Sequence, residues 1–429
     1  MSRFLVIVVV LAASLTVGAF PTGAQPRTGA RPDAPQNLRQ LGTFADFNND
    51  GRTDLAVGAP GENFGATADA GAITIFLGTG TGTGLPSASQ TLVQDNPEAG
   101  DQFGAALAVG DFNEDSFEDL AVGTPGEDVG TTVDAGAVTV LFGAAAGLTT
   151  SQTLLQDNSE TGDQFGAALT VAPFNNDVFD DLVVGAPGED VGAIADAGAA
   201  NLFSNSTGVL PGVSGGALLQ DNPEAGDQFG AALTVGRFVG GNVDLVVGAP
   251  GEDVGATADA GAANRFANTS GGLPSVTSQT LLQDSPEAGD QFGAALAVGD
   301  FNVDPLDDLV VGAPGENVGA TADAGAANAF LNTGGGLPAV SGPALLQDNP
   351  EAGDQFGAAL TVKILIDGGF FLFFDLVVGA PGENVGATVD AGAANLFSNT
   401  AGALPTVSSQ TLLQANVEAG DQFGAALDI

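Results

Sequence analysis

A short loop near the N-terminus carries oxygen-bearing side chains at alternate positions. In the segment DFNNDGRTD, positions one, three, five, seven (through its carbonyl) and nine are Asp46, Asn48, Asp50, Arg52 and Asp54. A glycine stands at position six, where a calcium loop turns sharply. This order of hard oxygen ligands matches the first nine positions of an EF-hand loop and predicts a Ca²⁺ site. Mg²⁺ fits less well, because it keeps its waters and demands a strict octahedron.

The same nine-residue spacing recurs further along the chain. The second loop supplies Asp111, Asn113, Asp115, Asp119 and the carbonyl of Phe117. The fifth loop supplies Asp300, Asn302, Asp304, Asp308 and the carbonyl of Leu306. Pro305 stands at position six of the fifth loop and cannot adopt a positive φ. The third loop begins with Pro173 and is expected to be a partial site. The fourth begins with Arg237 and is one residue shorter, so we expect it and the sixth to be empty. The alternative is that D-x-N-x-D is only turn chemistry, which Asx residues favour anyway.

Composition excludes most catalytic chemistry. The 429 residues contain no His, Cys, Tyr or Trp and a single lysine. Imidazole bases, thiolate nucleophiles and Schiff bases are therefore ruled out, and zinc or copper sites are disfavoured. The net charge is -44, from 52 acidic and 8 basic residues. Such a charge repels nucleic acid and anionic membrane surfaces and attracts cations.

Two motifs repeat six times and define the architecture. L-(A/V)-V-G-(A/T)-P-G-E recurs about every 63 residues, and DQFGAAL alternates with it. In the second unit, apolar runs predict four strands, which are 103–109, 120–122, 137–142 and 152–155. Four short strands repeated around an axis are typical of a β-propeller blade. The sequence therefore predicts an all-β propeller of six blades, or of seven if residues 25–43 contribute one.

The ends of the chain carry further signals. Residues 1–24 have the basic, apolar and small-residue regions of a secretory signal peptide, followed by a linker at 25–37 and the repeat domain at 38–429. The predicted location is extracellular or in the cell envelope, without membrane insertion. The segment 423–429 matches a strand that the first unit lacks, so we expect it to complete the first blade and close the ring.

Other features are less specific. The recurrent acids of QDNPEAGDQF, ADAGA and Pro-Gly-Glu are expected to be solvated loop residues, since sixfold repetition argues against one asymmetric active site. Residues 363–374 form a Phe-rich run that replaces the polar loop of the sixth unit. Asn205 and Asn268 begin glycosylation sequons.

At these residues the chain resembles the FG-GAP repeat family, known from the N-terminal propellers of integrin α subunits. Phe-Gly stands in every DQFGAAL, and Gly-Ala-Pro stands in five units, with Gly-Thr-Pro in the second. The predicted calcium loop lies between these two motifs, as in that family. The resemblance implies a β-propeller, calcium in the loops, and extracellular adhesion or ligand binding. Integrins have seven repeats, against six here, so a stand-alone secreted propeller is the closer picture.

Together these observations predict a secreted, monomeric, non-enzymatic, Ca²⁺-binding propeller that binds an extracellular protein or glycan. Two alternatives stay open. One is a hydrolase or lyase that acts on carbohydrate with paired carboxylates. The other is a structural component of a surface layer or matrix.

Overall fold

The computed structural model describes residues 45–78, 90–269, 271–274, 277–363, 373–399, 402–415 and 417–427. In this part of the chain, the residues form six antiparallel sheets in a radial series, which confirms the predicted six-bladed β-propeller. The predicted signal peptide and linker lie outside the described residues. None of the described residues belongs to a helix that is long and apolar enough to cross a membrane.

The strands follow chain order from the inner to the outer edge of each blade. The first blade contains β1 (Leu55–Ala59), β2 (Ala72–Phe76) and β3 (Gln90–Leu92). The second contains β4 (Leu107–Gly110), β5 (Asp119–Thr124), β6 (Ala137–Leu141) and β7 (Ser151–Leu154). The third contains β8 (Ala168–Ala172), β9 (Asp181–Ala186), β10 (Ala199–Phe203) and β11 (Ala217–Leu218). The fourth contains β12 (Ala232–Gly236), β13 (Asp244–Ala249), β14 (Ala262–Phe266) and β15 (Gln279–Leu281). The fifth contains β16 (Ala295–Gly299), β17 (Asp308–Ala313), β18 (Ala326–Phe330) and β19 (Ala344–Leu345). The sixth contains β20 (Leu360–Lys363), β21 (Asp375–Ala380), β22 (Ala393–Phe397) and β23 (Gln410–Leu412).

The core lies between the blades. In the second to fifth blades, every residue of the second strand is buried, because neighbouring blades cover both faces of the sheet. The second strand of the sixth blade is equally buried, and the C-terminal segment packs on it through Phe423. Each interface takes one phenylalanine from the next Phe-Gly motif. Phe165, for example, packs on Phe203 with ring centroids 5.9 Å apart. The tilted pair recurs at the next three interfaces, which explains why the phenylalanine is repeated.

The Phe-Gly motif joins consecutive blades instead of opening a strand. Phe103 forms a parallel bridge with Gly71 of the first blade, and Gly104 then donates to the carbonyl of Gly123 in the second blade at 3.0 Å. The first strand of the second blade therefore begins at Leu107, so our prediction of a strand from residue 103 is wrong. The phenylalanine of the motif pairs with the preceding blade, and only the residues after the motif join the sheet of the next blade.

The C-terminal motif follows the same rule on the sixth blade. Phe423 bridges Gly392 and packs against Val377, Ala394 and Leu396. The predicted completion of the first blade is not seen, because the described residues of this segment make no backbone hydrogen bond to that blade. In the first blade, Ala45 pairs with Asp54 as Gly110 pairs with Asp119 in the second. The first unit thus supplies its own residue, Ala45, at the inner edge of its blade.

Candidate metal centre

The first predicted calcium loop turns its oxygens inward through hydrogen bonds to its own backbone. The N–H of Asp50 donates to Asp46 Oδ1 at 2.9 Å and to Asn48 Oδ1 at 3.1 Å, and the N–H of Gly51 donates to Asp46 Oδ2 at 2.8 Å. Asn49 and Gly51 both have positive φ, which lets the chain curl around these side chains. The side chains of positions one and three are therefore held at the backbone of positions five and six, whereas the carboxylate of Asp50 accepts from Arg52.

The second loop repeats this geometry with different residues. The N–H of Asp115 donates to Asp111 Oδ1 at 3.2 Å and to Asn113 Oδ1 at 3.0 Å, and the N–H of Ser116 donates to Asp111 Oδ2 at 3.1 Å. Ser116 has a φ of 74° at position six, where the first loop has glycine. A non-glycine residue in this conformation shows that the loop fold itself imposes the turn.

The fifth loop keeps part of the pattern. The N–H of Asp304 donates to Asp300 Oδ1 at 3.1 Å and to Asn302 Oδ1 at 3.0 Å. Pro305 has no N–H to give to Asp300, and the Asn302 amide donates to Asp308 Oδ1 at 3.2 Å. The predicted partial third loop keeps only the Asp177 N–H to Asn175 Oδ1 bond, at 3.0 Å, and Pro173 brings no carboxylate.

The residues predicted at position seven differ in how their side chains behave. Arg52 pairs with Asp50 at 2.8 Å, and both groups are partly exposed, so this surface ion pair is worth little and can yield to a metal. The backbone N–H groups of Phe117 and Leu306 donate to Asp115 and Asp304, each at 2.9 Å.

Position nine has a structural role that the sequence did not reveal. Asp54 is buried and accepts the N–H of Phe47 at 2.9 Å and that of Gly78 at 2.7 Å, so it ties the loop to the chain that directly follows β2. Asp119 and Asp308 make the same two bonds. The aspartate persists in the loops predicted to be empty, as Asp244 and Asp375. The sequence has this aspartate in all six units, including those without the other ligands, and this pattern indicates a role besides metal binding.

Burial sets the charge state of these carboxyls. It raises the pKa of Asp119 to about 7, with the charges of Asp111 and Asp115 adding to the effect. Burial raises the pKa of Asp308 to about 7 and that of Asp181 to about 6. As the side chains stand, no three carboxylates of the described residues form a group that could hold a metal ion. The donor chemistry nevertheless fits a hard cation, because positions one, three, five and nine all offer oxygen.

The fourth loop, predicted to be empty, contains a buried ion pair. In the fourth, Arg265 of β14 pairs with Asp244 at 2.7 Å, and both side chains are buried. Of the Phe-rich run predicted as the sixth loop, residues 364–372 lie outside the described residues.

A second acidic cluster lies in the link between blades. Gln156 donates from Nε2 to Glu189 at 2.9 Å and also to Asp163, so one amide bridges two carboxyl groups. The same Gln–Asp–Glu arrangement recurs in other units, at Gln94–Asp101–Glu127, Gln220–Asp227–Glu252 and Gln283–Asp290–Glu316. Asp163 is only 1% exposed, so our prediction that these acids are solvated is wrong for this aspartate. The aspartates of ADAGA are exposed, with positive φ.

The two sequon asparagines hold neighbouring blades together. Asn205 is fully buried, and its amide donates to the carbonyl of Phe112 in the second blade at 2.6 Å. Asn268 makes the same bond to Phe174 at 2.7 Å. An amide committed in this way is not available to carry a glycan in the folded protein.

Replacing this amide tests its structural role. Asn205→Ala leaves the buried carbonyl of Phe112 without its donor, so we expect a loss of about 1–3 kcal/mol in the free energy of unfolding, measured by denaturant titration. Thr207→Ala is the control, because it destroys the sequon at an exposed position and is expected to change stability little. Equal stability of the two variants would contradict the assigned role.

Comparison with known proteins identifies the repeats. Residues 41–76, 103–141 and 292–327 match the family described as FG-GAP repeat. These segments belong to the first, second and fifth units, which are the three units with the full predicted ligand set.

Several relatives match about a third of the chain. A phosphatidylinositol-glycan-specific phospholipase D of Bos taurus is 36% identical over 152 residues, which are 34% of this chain and 18% of that protein. Integrin alpha-PS5 of Drosophila melanogaster is 35% identical over 34% of this chain and 14% of its own length. Integrin alpha-5 of Xenopus laevis is 30% identical over 50% of this chain and 20% of its own length. The matches thus span a fifth or less of these relatives.

A solved structure titled "Structure of Dos1 propeller" superimposes with a TM-score of 0.42 and 10% identity, over 82% of this chain and 69% of that one. The family match and the integrin α relatives confirm the resemblance seen in the motifs: three segments of this chain match the FG-GAP repeat.

Proposed function

We propose that this protein is a secreted, calcium-binding FG-GAP propeller that binds an extracellular protein or glycan through the loops of one face. The observation that carries the calcium assignment is the backbone geometry of the first two loops. In both, N–H groups at positions five and six hold the side-chain oxygens of positions one and three within one turn of the loop. A divalent cation would draw these oxygens and the carboxylate of position five into one ligand set.

The second loop is the strongest candidate for a site. Asp111, Asp115 and Asp119 repel one another, and Asp119 is fully buried and Asp111 half-buried, so the loop gains most from a divalent cation. Bound Ca²⁺ would be held by these carboxylates, Asn113 and the carbonyl of Phe117, and would supply the positive charge that the loop lacks.

Binding, and not catalysis, is the activity that the described geometry supports. The paired carboxylates of the Gln–Asp–Glu clusters recur from unit to unit and are engaged with a buried amide, which suits a structural role. The relatives include integrins and a phospholipase D, and the matched third of the chain does not decide between them. An array of glycans and matrix proteins, probed with and without Ca²⁺, tests the binding function. Turnover of a polysaccharide or of a glycosylphosphatidylinositol substrate would contradict it.

Single-loop variants test the calcium sites one at a time. Asp115→Ala removes a carboxylate at position five, so we expect the number of bound Ca²⁺ ions, counted by isothermal titration, to fall by about one. Asn242→Ala in the fourth loop is the matched control and should leave the number unchanged. Calcium binding by the fourth loop as tight as that by the first would show that the ligand alignment is wrong.

A further inference from the structure

The basic residues of the repeats are concentrated where the predicted metal ligands are missing. Beyond residue 39 the chain has four of them, which are Arg52, Arg237, Arg265 and Lys363. Arg237 and Arg265 belong to the fourth unit. Lys363 lies directly across the strand pair from Asp375 in the sixth unit. Only Arg52 lies in a loop with a full ligand set.

Arg265 occupies a position that is apolar in every other blade. Its counterparts include Leu202, Ala329 and Leu396, at the same place in the third strand. Its side chain is about nine-tenths buried, which is costly for a guanidinium unless it is paired. An arginine at this place therefore requires an acidic partner inside the blade.

That partner is Asp244, at position nine of the fourth loop. Nε and Nη2 of Arg265 donate to Asp244 Oδ2 at 3.0 and 2.7 Å. In the first, second, third and fifth loops, the corresponding Oδ2 accepts the N–H of the residue at position two. The other oxygen keeps its usual bond, to the N–H of Asn268 at 2.8 Å. The guanidinium of Arg265 thus binds the oxygen of Asp244 that bonds to the loop in other blades. The bond from Asp244 to the chain that follows the third strand is kept.

Charge counting explains why one arginine suffices. The fourth loop, residues 237–244, keeps a single carboxylate, that of Asp244, and the guanidinium of Arg265 neutralises it. The loop's own arginine, Arg237, lies beside Asp307 of the fifth loop, to which its N–H donates at 2.7 Å. The second loop gathers three carboxylates, for which a divalent cation is the better match. We propose that Arg265 is a built-in cation that takes the place of bound Ca²⁺ in the fourth blade and makes this blade independent of metal. This inference rests on the calcium binding proposed above for the other loops.

Stability in the presence and absence of metal gives the first test. Arg265→Leu restores the side chain of the third and sixth blades and leaves Asp244 buried without its partner. We expect the thermal midpoint to fall by at least about 5 °C, equally in excess Ca²⁺ and in chelator. Asp115→Ala should instead lower the midpoint only in Ca²⁺. A midpoint unchanged by Arg265→Leu, or a loss that Ca²⁺ repairs, would overturn the proposal.

A loop exchange gives the second test. Residues 237–244 are replaced by the nine residues of the second loop, 111–119, with Arg265 either kept or changed to leucine. With Arg265→Leu, the exchanged protein should bind one more Ca²⁺ than the parent, counted by isothermal titration. With Arg265 kept, it should bind the parent number. An extra ion bound equally well in both forms would overturn the role of Arg265, whereas a parent that binds no Ca²⁺ would overturn the proposed function itself.

Discussion

In chelator, the free energy of unfolding is expected to fall as the pH rises from about 5 to about 8. The cause lies in the Gln–Asp–Glu clusters, where burial and the adjacent aspartate raise the pKa of Glu127, Glu189 and Glu252 to about 7 and that of Glu316 to about 8. The same carboxyls titrate near pH 4 in the unfolded chain. Between these values the folded state holds protons that the unfolded state has released. The stabilisation from these protonated carboxyls is therefore complete below their pKa in the unfolded chain. It is lost as the pH rises through their pKa in the folded protein.

Glu316→Gln isolates one cluster. The amide removes the like charge beside Asp290, so the variant should be more stable than the parent at pH 8 and show no such gain at pH 4.5. Denaturant titrations at both values measure the difference. Glu62→Gln is the matched control, since Glu62 stands at the same motif position but is exposed. If the free energy of unfolding of Glu316→Gln and that of the parent changed equally between pH 4.5 and pH 8, Glu316 would not hold a proton in the folded state.

Gly312→Ala is expected to disrupt the contact between the fifth and sixth blades. A Cβ added at Gly312 would lie 2.0 Å from the carbonyl oxygen of Gly357. Both positions are backbone in a fully packed interface, so neither can move without breaking its sheet. We expect a loss of more than about 3 kcal/mol in the free energy of unfolding, at the upper end of the effects of overpacking. Equilibrium denaturation in Ca²⁺ measures it.

Gly335→Ala provides the comparison for this substitution. Gly335 lies in an exposed turn of the same blade, has ordinary φ, and would meet nothing within 4 Å. Its replacement should leave stability unchanged or raise it slightly, because alanine restricts the unfolded chain. If the two alanine variants are equally stable, the close approach of the two glycines does not limit packing. The close approach of Gly312 and Gly357 also explains why the Gly-Ala-Pro motif and the Phe-Gly motif both contain glycine.

The sequence predicted the fold well, because the repeat shows each signal six times. Strand order and blade number follow from periodicity and from turn residues. The start of the first strand was wrong, because Phe103 looks like the first residue of an apolar run. Its burial comes from the preceding blade, through the bridge to Gly71, and no local pattern reports a contact across a blade interface.

The candidate site was predicted only in part. The side chains of positions one, three and five bond to the backbone of their own loop, which is a local contact that the spacing can predict. The structural role of Asp54 could not be seen, because its second partner, Gly78, lies 24 residues away. The buried acids of the Gln–Asp–Glu clusters were missed for the same reason. Asp163 and Glu189 are separated by a whole hairpin, and only the fold brings them to one amide.

The central claim is that the loops between the two motifs bind Ca²⁺ and that the folded propeller depends on it. The most direct measurement is the thermal midpoint of the full chain at low ionic strength and neutral pH, in excess Ca²⁺ and in chelator. Each site filled at a hundred times its dissociation constant adds about 2.7 kcal/mol to the stability of the folded state. We therefore predict a midpoint several degrees higher in Ca²⁺, and a smaller gain in Asp115→Ala. An identical midpoint in Ca²⁺ and chelator would contradict the account.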